Sequence, residues 1–436
     1  MLRVDKPLVS VVIPTHNRKE KLARLVRSIL KSDYPKDKLE IIIVDDASTD
    51  GTYEYIKRLF PQVKVIRNSK EMLVSESRNI GIRASKGKYV FLIDDDNIVD
   101  KNTIKELVEF MEAHPEVGVA GPIMYFLGDP TRIWCAGIKR NYWITITKLI
   151  GFNTRDNGQY KEPYESEDFP NAFIVRREVF EKVGLFNSRL FPIHYEEGDF
   201  CQRVKKAKYK IMVIPVAKVW HDISLPERSK ASGFHIKSPL RAYYAVRSRI
   251  LFHALWSKNV VQRLVAFLAS LAIIAYYVVI TLKSTIAYKH EILRSMFKGI
   301  IDGLRLMREV ISFSRALEQK KNEAEASLIY RDESKARELL IESQKLLSQL
   351  KSKTRSQKEQ IKNLNQEIET QLEKLRHVVN IVEPIMIANF QNLDSQAEIA
   401  DFALELNGIL YTQNYNNKSI FRLNLKNRII STISSP

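Results

Sequence analysis

The chain has 436 residues, 45% of them hydrophobic, and a formal net charge of +18. This length exceeds what one ordinary hydrophobic core holds, so two or more structural units are expected. Two isolated cysteines, Cys135 and Cys201, exclude a thiolate zinc site and a disulfide framework, while the positive charge favours anionic partners.

Short apolar runs alternate with amphipathic segments over the first hundred residues. Strands are predicted at residues 9–14, 39–44, 63–66 and 89–93, and helices at residues 19–31, 54–60 and 76–84. Uninterrupted apolar strands between helices are typical of a parallel sheet that is covered on both faces. The N-terminus leads straight into the first strand without an apolar signal segment, which favours a cytosolic domain.

Polar side chains follow these strands, at the sheet edge where ligands of α/β folds gather. They are Thr15, His16 and Asn17, then Asp45 and Asp46, then Asp94, Asp95 and Asp96. Three adjacent carboxylates repel one another unless a cation lies between them, and their oxygens suit Mg²⁺ or Mn²⁺. The alternative is an acidic turn that starts a helix at residues 103–113.

The following region has shorter predicted strands, at residues 117–120, 173–175 and 211–213, and a polar stretch at 153–168 that is predicted to be a mobile loop. Residues 238–258 mix basic and aromatic side chains, as in a helix that lies in the lipid headgroup layer.

A membrane-length segment comes next. Residues 264–282 carry no charge, which predicts one transmembrane helix, with a buried helix or a membrane-embedded hairpin arm as the alternative. Residues 286–306 are predicted to be helical. Imperfect heptads from Leu340 onwards favour a coiled coil that ends at Pro384 and could make a homo-oligomer. We therefore predict six segments: an α/β domain at 1–232, an interfacial helix at 233–262, a membrane helix at 263–283, a helical connector at 284–331, a coiled coil at 332–383 and a tail of unknown structure at 384–436.

Four ordered motifs resemble the signatures of family 2 glycosyltransferases. They are VIPTHNR at 12–18, VDDASTDGT at 44–52, SRNIG at 77–81 and FLIDDD at 91–96. The likeness continues through residues 173–186, 196–203, 220–221 and 243–247, so it covers residues 7–305 and is closest to the rhamnosyltransferase-like, non-processive branch. The QxxRW pattern of processive relatives is absent from the sequence, which favours the transfer of one sugar per binding event.

The resemblance implies a GT-A fold, in which a nucleotide-binding α/β half joins an acceptor half, and a metal-dependent, inverting sugar transfer. It implies that the nucleotide is held by Thr15, His16, Asn17, Asp46, Arg78 and Asp95, and that Mg²⁺ or Mn²⁺ is held by Asp94, Asp96 and His221. The base that deprotonates the acceptor hydroxyl would be Glu197, where the family usually has aspartate, and Asp199 is the alternative. Without the resemblance, residues 196–199 would be interpreted as the acidic start of a solvated helix.

The membrane segment and its basic neighbour favour a membrane-associated protein whose catalytic domain faces the cytoplasm and whose acceptor is a lipid-linked or other saccharide. One alternative is a nucleotidyltransferase, although such enzymes begin with a glycine-rich phosphate loop and the first glycine here is Gly51. Another is a membrane-anchored scaffold that keeps the fold as a sugar-nucleotide-binding module. Nucleic-acid binding is not expected, because the basic residues lie beside the membrane segment and along the coil.

Overall fold

The computed structural model describes residues 6–225, 238–283, 288–329 and 333–348, six residues between 365 and 372, and the segments 399–406, 409–414, 420–424 and 430–434. The chain divides into two compact units, Met1–Ile368 and Glu369–Pro436.

The first unit contains twelve of the described strands. They are β1 (Val9–Thr15), β2 (Leu39–Asp45), β3 (Lys64–Arg67), β4 (Tyr89–Ile93), β5 (Asn97–Val99), β6 (Val117–Phe126), β7 (Asp129–Cys135), β8 (Ile138–Asn141), β9 (Ile146–Leu149), β10 (Tyr164–Glu165), β11 (Ala172–Arg176) and β12 (Lys210–His221). Ten of them form one sheet with the order β10-β12-β6-β11-β4-β1-β2-β3, in which β5 pairs with β12 and β7 with β6; β8 and β9 form a separate hairpin.

The helices of this unit cover the sheet and then continue beyond it. They are α1 (Lys19–Leu30), α2 (Thr52–Leu59), α3 (Leu73–Ala84), α4 (Thr103–Ala113), α5 (Arg177–Val183), α6 (Glu196–Lys206), α7 (Pro239–Trp256), α8 (Val260–Lys283), α9 (Lys289–Ile329) and α10 (Glu333–Ser348), with a 3-10 turn at Lys36–Lys38.

The first four long strands confirm the predicted parallel arrangement. β1 lies between β2 and β4, parallel to both, and β3 continues the order beside β2. Every residue of β1 and β4 is buried, which explains why both strands are mainly apolar. The register places Thr15 opposite Asp45, so the polar residues that follow these strands share one edge.

The second half of the sheet differs from the sequence prediction. β11 is antiparallel to both of its neighbours, β4 and β6, so the sheet is mixed rather than parallel. β6 and β12 are also longer than predicted. The prediction was too short because Gly118, Gly121, Pro122 and Pro215 interrupt the apolar pattern of these strands. The stretch at 153–168, predicted to be a loop, contains β10, which pairs with β12, and Asp156, which accepts a 2.6 Å hydrogen bond from Tyr125.

Gly81 sets the close approach of α3 to the sheet. A Cβ atom at this position would lie 2.3 Å from Val12 Cγ1 and 3.3 Å from Val44 Cγ2. Contacts this short are not tolerated, so the glycine at the end of the third motif has a packing role. It lets α3 bring Arg78 to the carboxyl edge of the sheet.

α8 is the one helix of the described segments that is long and apolar enough to cross a membrane, and only 22% of its most apolar window is buried inside the protein. Val260, Leu264, Leu268 and Leu282 are among its exposed side chains. A buried core helix would not expose them, so that alternative is disfavoured. α7 packs against both α8 and α9.

The predicted connector and coiled coil are only partly described. α9 continues to Ile329, well beyond the predicted end at 306, and packs against α10. Leu340 and Leu347 of the heptad series are buried on α10. Most of the remaining predicted coil, including Pro384, lies outside the described residues. The second unit contains an antiparallel sheet of β13 (Ile399–Leu406), β14 (Ile409–Asn414), β15 (Ile420–Asn424) and β16 (Ile430–Ser434), which the sequence analysis did not predict.

Candidate active site

Side chains from β1 and β4 meet at the carboxyl edge of the sheet, as their register requires. Thr15 Oγ1 donates a 2.7 Å hydrogen bond to Asp95 Oδ2. Arg18 Nη1 donates to Asp95 Oδ1 at 3.1 Å and to Asp96 Oδ2 at 2.6 Å. Burial raises the pKa of Asp95 to about 7, although Arg18 and Thr15 oppose the shift.

β12 brings His221 to the same edge, beside Asp96. His221 pairs with Asn97 of β5, and its Nε2 lies 3.3 Å from Asp96 Oδ1. Its Nδ1 is buried with no hydrogen-bond partner among the described residues. Burial would raise the pKa of Asp96, but the hydrogen bond from His221 and the charge of Arg18 together lower it to about 2. Asp96 is therefore a carboxylate at neutral pH.

The buried guanidinium of Arg78 joins Asp94, the first aspartate of the triplet, to the start of α6. Arg78 is 1% exposed and donates 2.7 Å hydrogen bonds to Glu197 Oε1 and to Asp94 Oδ1. Glu196 Oε1 lies 3.7 Å from the same guanidinium. Burial would lower the pKa of Arg78, but these three carboxylates raise it above its ordinary value. Burial raises the pKa of Glu197, although Arg78 opposes the shift.

Asp199 is directed away from this cluster. Its Oδ2 accepts a 3.1 Å hydrogen bond from Arg203 Nε, and its Oδ1 accepts one of the same length from Trp256 Nε1. The first contact lies within α6, and the second joins α6 to α7. Glu197 lines the neighbouring cavity and Asp199 does not.

Asp46 holds the loop that precedes α3. Its Oδ1 accepts hydrogen bonds from Asn68 Nδ2 at 2.7 Å and Met72 N at 2.8 Å, and its Oδ2 accepts one from Leu73 N at 2.9 Å. Its backbone carbonyl lies 2.7 Å from His16 Nδ1. The sequence analysis missed the loop at 68–73, because no local pattern marks the donors that a carboxylate will meet.

Asn17 orders the loop after β2. It has a left-handed backbone with a φ of 54°, and its Oδ1 accepts from the backbone amides of Thr49 and Asp50 at 2.7 and 3.2 Å. His16 and Asn17 are exposed, so they form the accessible part of this edge.

A cavity of about 810 Å³ starts at Asp94 and Glu197 and reaches Tyr276 and Tyr277 of α8. Arg140, Arg241 and Arg249 line it between these ends. Arg140 is paired with Asp168, and Arg249 donates to Thr145 O at 2.7 Å. The sequence analysis did not identify this cavity, because its walls come from segments that are far apart in the chain.

The fit of a divalent metal depends on Asp96 and His221. Within the described part of the chain, no three His, Cys, Asp or Glu side chains are grouped to hold an ion. Asp96 and His221 nevertheless offer an ionised oxygen and a ring nitrogen 3.3 Å apart. Mg²⁺ is commonly bound by one or two protein carboxylates together with substrate phosphates, so this pair fits such an ion.

Comparisons with known proteins match the part of the chain that carries the first motifs. Residues 10–184 match the family model for glycosyl transferase family 2. The chain is 27% identical over 187 residues to the glycosyltransferase GlyG of Streptococcus pneumoniae serotype 4, which covers 42% of this chain and 62% of GlyG. It is 30% identical over 115 residues to the poly(ribitol-phosphate) beta-N-acetylglucosaminyltransferase TarS of Staphylococcus aureus, which covers 24% of this chain and 19% of TarS.

A solved structure of GalNAc-T7 with UDP, GalNAc and Mn²⁺ is similar with a TM-score of 0.46 at 24% identity, which covers 59% of this chain and 49% of that one. The chain thus spans less than two thirds of the length of each of these three proteins.

Proposed function

Since residues 10–184 form a glycosyltransferase family 2 domain, we propose that the chain transfers one sugar from a nucleotide-sugar donor to a hydroxyl of a membrane-associated, lipid-linked saccharide. The observation that carries this proposal is a cavity that is lined both by Glu197 and Asp94 and by residues of the apolar helix α8. In the GT-A arrangement that we propose, β1 to β4 form the nucleotide half, and β6 to β12 with α6 form the acceptor half.

The donor nucleotide would lie at the carboxyl edge of β1 and β2. The exposed His16 and Asn17 are available to contact the base, and the buried Thr15 and Asp95 lie at the same edge, bonded to each other. Asp46 would act through the loop at 68–73, because both of its carboxylate oxygens are already bonded to that loop. Arg78 would lie beside the diphosphate while it holds the acidic cluster together.

Asp96 and His221 would hold Mg²⁺ or Mn²⁺, with Asp94 next to them. When bound, the ion offsets the negative charge that grows on the departing diphosphate. Arg18 contacts both Asp95 and Asp96, so it holds the two side chains in place, and its charge helps to keep Asp96 ionised.

Glu197 would remove the proton from the attacking acceptor hydroxyl. The raised pKa of this buried carboxylate makes it a stronger base than an exposed glutamate. Arg78 fixes one of its oxygens at 2.7 Å and so aims the group. The hydroxyl attacks the anomeric carbon from the face opposite the diphosphate, which inverts that centre and needs no covalent intermediate. Asp199, with both oxygens bonded to Arg203 and Trp256, would have a structural role.

A lipid-linked acceptor fits the other end of the cavity. Tyr276 and Tyr277 of α8 line it there, and Arg241 and Arg249 lie nearby to meet an anionic linker. Because α8 exposes most of its apolar surface, we propose that it resides in the membrane and that the catalytic domain stands on the cytoplasmic side.

The test is nucleotide-sugar-dependent thermal stabilisation of the full chain, with and without Mn²⁺, across UDP, GDP and dTDP donors, followed by a transfer assay. We expect one donor class to raise the melting temperature in a Mn²⁺-dependent way, and a lipid-linked acceptor to outperform the same free sugar. Stabilisation without transfer to any acceptor would support the binding-module alternative instead. A soluble acceptor that works as well as the lipid-linked one would contradict the acceptor proposal.

A further inference from the structure

We propose that the tip of the β8–β9 hairpin, formed by Trp143, Ile144 and Ile146, rests in an anionic lipid headgroup layer beside α8. This second membrane contact goes beyond the proposed function and does not depend on the transfer reaction.

The tip presents three large apolar side chains to solvent. Trp143, Ile144 and Ile146 are 46%, 47% and 49% exposed. Exposed apolar groups that lie next to one another mark an interaction surface more often than scattered ones do. Trp is also the residue that favours the boundary between lipid and water.

The surrounding structure holds the tip in this exposed conformation. Asn141 Oδ1 accepts hydrogen bonds from Trp143 N at 2.9 Å and Ile144 N at 3.2 Å. Arg249 of α7 donates to the carbonyl oxygen of Thr145 at 2.7 Å, and Thr145 itself is buried with a left-handed φ of 56°. The turn is therefore attached to the same helix that packs against α8.

The tip is continuous with the start of α8. A second cavity, of about 560 Å³, is lined by Trp143 and Ile144 on one side and by Asn259 and Gln262 on the other. Beside it, Val260, Val261 and Leu264 of α8 are 67%, 64% and 59% exposed. The hairpin thus extends the apolar surface of α8 sideways.

The charges around this surface favour anionic lipid as its binding partner. Lys139, Lys148 and Lys258 line the same cavity and are exposed, and none of its lining residues is acidic. Lysines near a membrane surface are attracted to anionic lipid. A second copy of the chain would present the same lysines and meet like charge, so a lipid surface fits better than a homodimer.

The experiment is fluorescence quenching of the full chain reconstituted in vesicles of brominated phosphatidylcholine with phosphatidylglycerol. The chain has four tryptophans, so Trp143→Phe isolates the contribution of the tip. We expect the wild type to be quenched and W143F to lose more than half of that quenching. Ile144→Trp in the W143F background should restore it. Leu59→Trp in the same background is the control, because Leu59 is exposed at the end of α2, a helix of the parallel half of the sheet, and it should not restore the lost quenching.

Equal quenching of wild type and W143F, or no recovery with I144W, would overturn the proposal. A detergent-solubilised dimer that W143F converts to a monomer would instead identify the surface as a contact between copies. Because quenching needs no donor or acceptor, its failure leaves the transfer reaction untouched, and a failed transfer assay leaves the quenching result unchanged.

Discussion

Glu197 Oε1 accepts a 2.7 Å hydrogen bond from Arg78 Nη1, inside a cluster where the guanidinium is almost completely buried. The contact joins α3 to the first turn of α6, two helices that are far apart in the sequence. A charged hydrogen bond of this kind fixes the direction of the carboxylate, which is what proton transfer requires.

Glu197→Gln should reduce kcat by a hundredfold or more, the usual scale of general-base catalysis, because the amide cannot accept the acceptor proton. It keeps the size of the side chain and one oxygen for Arg78, so the donor KM should change little. Steady-state kinetics with saturating Mn²⁺ measure both quantities.

Asp199→Asn is the matched control. It weakens two buried contacts, to Arg203 and Trp256, so the free energy of unfolding should fall by about 2 kcal/mol. The kcat of the folded enzyme should stay near that of the wild type. The reverse pattern, with D199N inactive and E197Q active, would transfer the role of base to Asp199.

Removing the ring nitrogen at position 221 should weaken metal binding. The measurement is the Mn²⁺ concentration that gives half of the maximal donor-dependent thermal shift. In His221→Ala we expect this concentration to rise about tenfold, as it does when a metal site loses a supporting group. His290→Ala, which changes an exposed histidine on α9, is the control and should match the wild type. Unchanged Mn²⁺ dependence in H221A would remove His221 from the proposed metal site.

Asp46→Asn should loosen the loop at 68–73. The amide keeps one accepting oxygen but loses the charge that three donors share, so the free energy of unfolding should fall by about 2 kcal/mol. If the loop shapes the nucleotide site, the donor KM should also rise. Chemical denaturation and kinetics check the two effects, with Asp37→Asn on the exposed surface as the control. A higher KM without a loss of stability would mean that Asp46 contacts the nucleotide directly.

The parallel half of the fold was predictable because β1, β2 and β4 are mainly apolar strands with polar residues after them. The place of β11 was not predictable, because the period of a buried strand says nothing about its partners. Gly118, Pro122 and Pro215 likewise hid the true lengths of β6 and β12.

In the candidate site, too, the sequence indicated the residues but not their contacts. The motifs predicted Asp94, Arg78 and Glu197 as separate site residues. Their pairing depends on contacts between α3, the end of β4 and α6 that only the folded chain provides. Asp46 is the clearest example of a residue whose partners are invisible in the sequence, since backbone amides donate two of its three bonds.

Gly81→Ala should destabilise the domain by about 1–3 kcal/mol, because its methyl group would overlap Val12 at 2.3 Å. Gly128→Ala is the control, since its nearest neighbour would be 3.8 Å away, and its stability should stay near that of the wild type. Equal denaturation midpoints for G81A and the wild type would contradict the packing role of Gly81.

His253 should make the fold sensitive to acid. The ring is 2% exposed, neither nitrogen has a hydrogen-bond partner among the described residues, and burial lowers its pKa to about 2, with the charges of Arg249 and Arg140 acting in the same direction. The unfolded chain binds the proton near pH 6.5 and the folded chain does not. The contribution of the neutral His253 ring to the free energy of unfolding is therefore fully present above pH 6.5 and is lost as the pH falls toward 2.

Between pH 7 and pH 5 the loss from this one group amounts to about 2 kcal/mol, at 1.36 kcal/mol per pH unit. His253→Leu should flatten that slope, as measured by urea denaturation at each pH. A variant with the same slope as the wild type would show that other groups set the acid sensitivity.

The position of β11 has a consequence for biosynthesis. Residues 172–176 form the strand between β4 and β6, so a nascent chain that has not yet released them from the ribosome presents both strands with an unpaired side. Unpaired strand edges recruit other strands, including those of neighbouring chains. Until residues 172–176 emerge, the growing chain can thus pair with strands of neighbouring chains.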